Sequence, residues 1–152
     1  MFPAFSQTYQ ELSERAVAAT EQDSLSLAEK YIEQALKMEP ANPHNALLFS
    51  NLGTIQHRQH RYEQALDSYT LALNIAPRAI PALMNRAALY LELGKDDLAR
   101  IDYSLVLDLE SDNQEALLMR AYIHMRQRNY NFAKSDYERL LKLAPRSYNG
   151  RL

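Results

Sequence analysis

Small and apolar residues return along this chain at a fixed interval. Ala28, Ala65, Ala99 and Ala133 are spaced 37, 34 and 34 residues apart. Four residues beyond each stand Ile32, Tyr69, Tyr103 and Tyr137, and three further on Ala35, Ala72, Val106 and Leu140; Pro40, Pro77, Ser111 and Pro145 close the units. Several marks recurring at one such period indicate a repeat architecture, in which neighbouring units bury each other's apolar faces. Within a unit the spacing is i, i+3, i+4, i+7, as in Phe49, Leu52, Gly53 and Gln56 or Leu83, Arg86, Ala87 and Tyr90, with polar exceptions that stand out. Each unit thus predicts two short helices, A and B.

Start and stop signals divide the chain in the same way. The units span 9–42, 46–79, 80–113 and 114–147, after a tail at 1–8 and before 148–152, which reads like the opening of a further helix or a truncated repeat. Asn42-Pro43 predicts a cap followed by proline at the first helical position, and Ser111 with Gln114 predicts a capping box; Ser26 with Glu29 predicts another. Gly94 and Asn129 fall where a helix must end and the chain reverse. The three extra residues between the first two units fall around Pro43-His44-Asn45, lengthening a loop or a first turn without disturbing the core register.

These marks resemble the tetratricopeptide repeat: a large residue, Leu, Gly or Ala, and Tyr on helix A, then Ala, an aromatic, Ala and Pro on helix B. The resemblance covers 9–147, is strongest in 46–79 and weakest in 9–42. It implies an all-α fold, a right-handed α-α superhelix (solenoid) of about four helix-turn-helix units. Gly53, Ala87 and Ala121 on helix A and Ala65, Ala99 and Ala133 on helix B are expected to let paired backbones approach, with Tyr69, Tyr103 and Tyr137 filling the wedges. In the first unit Leu12, Arg15, Ala16 and Ala19 replace the usual helix A set, as expected of an atypical terminal repeat acting as a cap.

Composition narrows the function. With Lys+Arg 17 against Asp+Glu 19, the chain lacks the basic excess that a nucleic-acid backbone requires. No run approaches the length of a membrane-spanning helix. Zero cysteines exclude disulfides, thiolate metal sites and a cysteine nucleophile. Ala4 and Ser6 have the small-x-small pattern that ends a cleaved export signal, without the charged and apolar segments that precede one; the expected location is cytoplasmic, or exported if residues 1–6 are such a remnant. His57-x-x-His60 has metal-compatible spacing, and Glu21 and Glu92 at similar heights on the neighbouring helices could reach it as third ligands, but the stretch, followed by Arg61, is cationic and poorly suited to a dication. Three isolated glycines build no phosphate-cradling loop, and no nucleophile motif occurs. Neither catalysis, metal nor cofactor is expected. His124, at the core tyrosine position of helix A, is expected to be hydrogen-bonded and half-buried.

Comparing the units with one another exposes a pairing. Where helix A carries Leu52, helix B carries Ser68; where it carries Arg86 or Arg120, helix B carries Asp102 or Asp136. This predicts structural ion pairs, either within a unit or across a junction as Arg120 with Asp102. The resemblance further implies that helix A lines a concave groove. Its residues would be Leu47, Ser50, Asn51, Thr54, His57 and Arg58 in the second unit, then Pro81, Met84, Asn85, Ala88, Leu91 and Glu92 in the third. In the fourth they would be Glu115, Leu118, Met119, Tyr122, Met125 and Arg126. Methionine-rich surfaces accept apolar segments, so a peptide or amphipathic helix of a protein partner is the expected guest. The alternative is a structural spacer or self-association segment, with Leu118, Met119 and Met125 packing against a further repeat or a second copy. The uncapped fourth unit is then the expected homodimer face. The family's carboxylate clamp for acidic chaperone tails asks for Lys and Asn, then Asn, then Lys and Arg. Its positions hold Ser13, Val17, Asn51, Pro81 and Asn85 in one register, and Ser50, Thr54, Asn85, Glu115 and Met119 in the other, so no such clamp is expected.

Overall fold

The computed structural model describes residues 7–143. Those residues form eight α-helices and no strand: α1 (Tyr9–Glu21), α2 (Leu25–Met38), α3 (Asn45–Arg58), α4 (Tyr62–Ile75), α5 (Ile80–Glu92), α6 (Asp96–Leu109), α7 (Gln114–Arg126) and α8 (Tyr130–Leu143). The expectations for residues 1–6, Pro145 and 148–152 lie outside the described residues. The chain divides into two compact units, residues 1–82 and 83–152. In the first, α1 packs on α2, α2 on α3 and α3 on α4; in the second, α6 packs on α7 and α7 on α8.

Small residues set the approach of the paired helices. Ala28 and Ala65 in the first unit, and Ala87, Ala99, Ala121 and Ala133 in the second, are fully buried. Gly53 of α3 lies under the ring of Tyr69 of α4: a Cβ added there would stand 2.6 Å from Cε1 and 2.7 Å from Cδ1. Leu12, Ile32, Leu48 and Ile55 complete the first core, and Leu83, Leu89, Tyr103, Val106 and Ile123 the second.

The reversals between paired helices use one device. Asp23, His60, Gly94 and Arg128 adopt φ of 61°, 62°, 76° and 62°. The N–H of the following residue reaches back over the helix end: Ser24 donates to the Ala19 carbonyl, Arg61 to Gln56, Lys95 to Tyr90 and Asn129 to His124, each at 2.8 Å. This left-handed termination satisfies carbonyls that would otherwise be orphaned. The fourth reversal therefore turns at Arg128, one residue before the expected Asn129.

Helix starts depart from the expected caps. The carbonyl oxygen of the Asn42 side chain accepts the His44 N–H at 2.8 Å. Bonds of the i→i+3 kind then run from Asn45 to Asn42 (2.9 Å) and from Ala46 to Pro43 (3.2 Å), so the extra residues make one tight turn and α3 begins only at Asn45. Asn45 is itself buried: it accepts the Tyr9 hydroxyl at 2.6 Å and donates to the Glu39 carbonyl at 2.8 Å, joining α1, the end of α2 and α3. At α7 the cap is Asn113, whose side chain accepts the Ala116 N–H at 2.9 Å, and not Ser111. At α2 the cap position is Ser24, which makes no side-chain cap bond, and Glu29 instead accepts from Arg61 at 2.7 Å; no Ser26 capping box forms.

Because Gly94 alone meets the left-handed conformation without a Cβ, Gly94→Ala is expected to lose about 1 kcal/mol in urea unfolding. Arg128→Gly at the matching turn is expected to change stability by less than about 0.5 kcal/mol, relief of strain offsetting the freer unfolded chain.

Candidate functional site

In the first unit the exposed faces of α1 and α3 form a groove. Val17, Thr20 and Glu21 of α1 and Asn51, Thr54 and Arg58 of α3 line a cleft of about 440 Å³. Val17 also borders a second cleft of about 450 Å³, with Tyr9, Gln10, Ser13, Glu14, His44 and Leu47. Sequence reasoning placed Asn51, Thr54 and Arg58 on this face but treated α1 only as a cap. The structure makes α1 a wall of the groove, and the legible signal was Val17, which stands 37 residues before the groove residue Thr54, the offset between the first two repeats. Thr54 is anchored from beneath, its hydroxyl 3.0 Å from that of Tyr69. Burial holds the Tyr69 phenol above its usual pKa, with the Thr54 bond acting the other way. Arg58 is paired with Asp23. His57 lies outside both clefts, edge-on to Tyr62 at 5.7 Å, and His60 Nδ1 is 2.7 Å from the Tyr62 hydroxyl. Among the described residues no group of three His, Asp or Glu side chains is placed to hold a metal ion.

In the second unit Asn85 and Ala88 of α5 are exposed, while Met84 and Leu91 are half-buried. On α7, Leu118, Tyr122 and Met125 form an exposed apolar strip at 47%, 44% and 44% exposure, with Met119 half-buried beside it. Arg126 sits over the Tyr122 ring, 5.5 Å from its centroid, donates to the Tyr122 hydroxyl at 3.2 Å and pairs with Asp96 at 3.1 Å. The Tyr122 hydrogen bond, reinforced by Asp96, keeps the Arg126 guanidinium above its ordinary pKa. The strip thus presents an aromatic face already braced by a cation.

The buried polar slots between paired helices take two forms. Arg86 of α5 grips Asp102 of α6 through two bonds, Nε to Oδ2 at 2.8 Å and Nη2 to Oδ1 at 2.9 Å. Arg120 of α7 grips Asp136 of α8 likewise, at 2.8 and 2.7 Å, and reaches Ser104 at 3.2 Å; it makes no junction pair with Asp102. Both carboxylates are buried. In α3 and α4, where Leu52 stands in place of the arginine, Ser68 donates instead to Gln56, one turn further along α3, at 2.6 Å, a neutral pair that sequence reasoning missed. His124 also departs from expectation: it is 9% exposed, its Nδ1 has no hydrogen-bond partner among the described residues, and its ring stacks on Phe132 at 5.3 Å.

Tetratricopeptide repeat family models match residues 13–80, 80–113 and 114–147. A tetratricopeptide repeat protein from Parabacteroides merdae is 39% identical with a TM-score of 0.89, over 93% of this chain and 55% of that one. The first tetratricopeptide repeat domain of Spaghetti, bound to the HSP90 peptide SRMEEVD, is 30% identical with a TM-score of 0.63, over 69% of this chain and 83% of that one. The UDP-N-acetylglucosamine–peptide N-acetylglucosaminyltransferase of Giardia intestinalis is 33% identical over 99 residues, 65% of this chain but 6% of that protein. The chain therefore spans about half of the first of these structures and a small part of the transferase. It belongs to the tetratricopeptide repeat family, an all-α helical-repeat class whose general role is protein binding. Among the described residues no helix is long and apolar enough to cross a membrane.

Removing one partner of a buried, forked ion pair strands the other. Arg120→Ala and Asp136→Ala are each expected to cost about 3 kcal/mol, the low end for such pairs because the guanidinium keeps some exposure. Arg120→Lys should recover only part of that loss, since an ammonium cannot form the fork. Urea unfolding of the three variants checks this, and near-wild-type midpoints would show the pairs to be dispensable.

Proposed function

We propose that this chain is a non-catalytic scaffold module whose helix A groove takes a peptide or short helix of a protein partner. The observation that carries the reading is the α1–α3 groove, where apolar Val17 and Leu47 alternate with hydrogen-bonding Ser13, Asn51 and Thr54. The Spaghetti relative, bound to an HSP90 peptide, supports a peptide guest on this fold. The guest is of a different charge type, however. The positions of a carboxylate clamp carry Ser13, Val17, Asn51, Pro81 and Asn85, the cleft contains Glu21, and its one arginine is engaged by Asp23. A neutral or apolar segment fits these walls better than an acidic tail. In the second unit Met84, Leu91, Met119, Tyr122 and Met125, with Asn85, Ala88 and Arg126, offer adaptable apolar contact of the kind that accepts a partner helix.

A second reading, self-association, is favoured by the exposed Leu118, Tyr122 and Met125 strip, since a second copy would remove that surface from water. Peptides selected on the purified chain from a display library discriminate the two readings. The scaffold reading expects at least about tenfold weaker binding in Val17→Asp for peptides seated in the α1–α3 groove and in Tyr122→Ala/Met125→Ala for those seated on the α7 strip, with unchanged melting temperatures. If instead those substitutions spare peptide affinity while the α7 pair converts a dimer to a monomer in light scattering, self-association takes its place.

A further inference from the structure

The second unit contains a cleft that does not belong to the groove. It has about 530 Å³ and is walled by Arg100 and Ser104 of α6, Arg120 and His124 of α7, Asn129, and Phe132, Ser135 and Asp136 of α8. We infer that this cleft binds a small oxyanion, a carboxylate or a phosphate, carried on a planar apolar group.

Three observations carry the inference. First, the cleft differs from the repeat before it. At the positions 34 residues earlier the chain has Leu66, Tyr90, Leu98 and Ile101, whereas the cleft has Arg100, His124, Phe132 and Ser135. A cation, an imidazole and a hydroxyl thus meet on one cleft where the repeat before has Leu66, Tyr90 and Ile101. Second, His124 is nine-tenths buried, yet its Nδ1 has no partner among the described residues. A buried polar atom in that condition calls for a ligand or a water. Third, the walls offer mostly donors. The Ser104 oxygen accepts from Arg120, which leaves its own proton for another acceptor. Arg100 bonds Gln127 and lies 3.4 Å from Asp97, but it uses only part of its fork. The one carboxylate lining the cleft, Asp136, is already taken up by Arg120.

Phe132, 65% exposed and stacked on His124 at an interplanar angle of 28°, supplies a flat apolar wall. The charged groups acting on His124 are Asp136 from α8, Arg120 from α7 and Arg100 from α6. Burial chiefly holds its pKa below the ordinary value, the two arginines adding to that and Asp136 opposing it. A bound anion would draw a proton onto the imidazole, so binding should strengthen as pH falls.

The experiment uses the full chain, with benzoate and phenyl phosphate as probes and benzyl alcohol as the neutral match. NMR follows the His124 ring protons, and calorimetry gives the affinity. At least one anionic probe is expected to give a saturable shift, tighter at about pH 6 than at about pH 8. Ser135→Ile, and the triple Arg100→Leu/His124→Tyr/Ser135→Ile that restores the residues found one repeat earlier, are each expected to weaken binding at least about tenfold. Both should retain the wild-type helical spectrum; Ser135→Ile alone also keeps the His124 signal. No saturable shift with either anion, equal binding of benzyl alcohol, or unchanged affinity in Ser135→Ile would overturn the inference.

Discussion

The contact between Gly53 and Tyr69 is the constraint on which the best-formed repeat depends. The Tyr69 ring occupies the space that any side chain at position 53 would need. Interiors pack too densely for such a contact to be absorbed by a small shift, so the missing Cβ fixes how closely α3 and α4 approach. That approach in turn places the Tyr69 hydroxyl against Thr54, which lines the α1–α3 cleft. A spacing chosen in the core is thereby transmitted to the surface that would meet a partner. In the second unit Ala87, Ala99, Ala121 and Ala133 are likewise wholly buried, so close packing there also relies on small side chains.

Around these contacts the repeats settle their buried polar groups in two ways, one neutral and one charged. One uses Ser68 with Gln56, the next Arg86 with Asp102, and the last Arg120 with Asp136. The charged versions specify geometry because a planar guanidinium and a carboxylate fit in few orientations. They also leave their repeats sensitive to loss of one partner, whereas the neutral pair asks less of its surroundings. Asn45 plays a comparable part at the entry to α3, where Tyr9 and the Glu39 carbonyl both depend on it.

The helical repeat was legible in the sequence because the small and aromatic marks recur at nearly one period and reflect packing that every unit must solve. Arg86, Asp102, Arg120 and Asp136 were conspicuous because Leu52 and Ser68 change together at the matching positions. The helix starts were less legible: Asn113 and Ser111 are both good caps, and only the path of the chain decides between them. The left-handed turns at Asp23, His60 and Arg128 carried no glycine to announce them, and only Gly94 did so. The α1 wall of the groove was obscured because Leu12, Arg15, Ala16 and Ala19 depart from the helix A marks of the other repeats, so that α1 reads as a cap. His124 gave no sign of losing its partner, because a hydrogen bond for a buried imidazole is the ordinary expectation.

A double-mutant cycle between positions 53 and 69 tests the central claim most directly. Gly53→Ala alone should destabilise the chain by about 1–2 kcal/mol, overpacking outweighing the better helix propensity of alanine. In a Tyr69→Leu background the ring is gone, and Gly53→Ala should become neutral or stabilising, a coupling of more than about 1 kcal/mol. Equal effects of Gly53→Ala in the two backgrounds would contradict the account, because the close approach would then not be what position 53 is for.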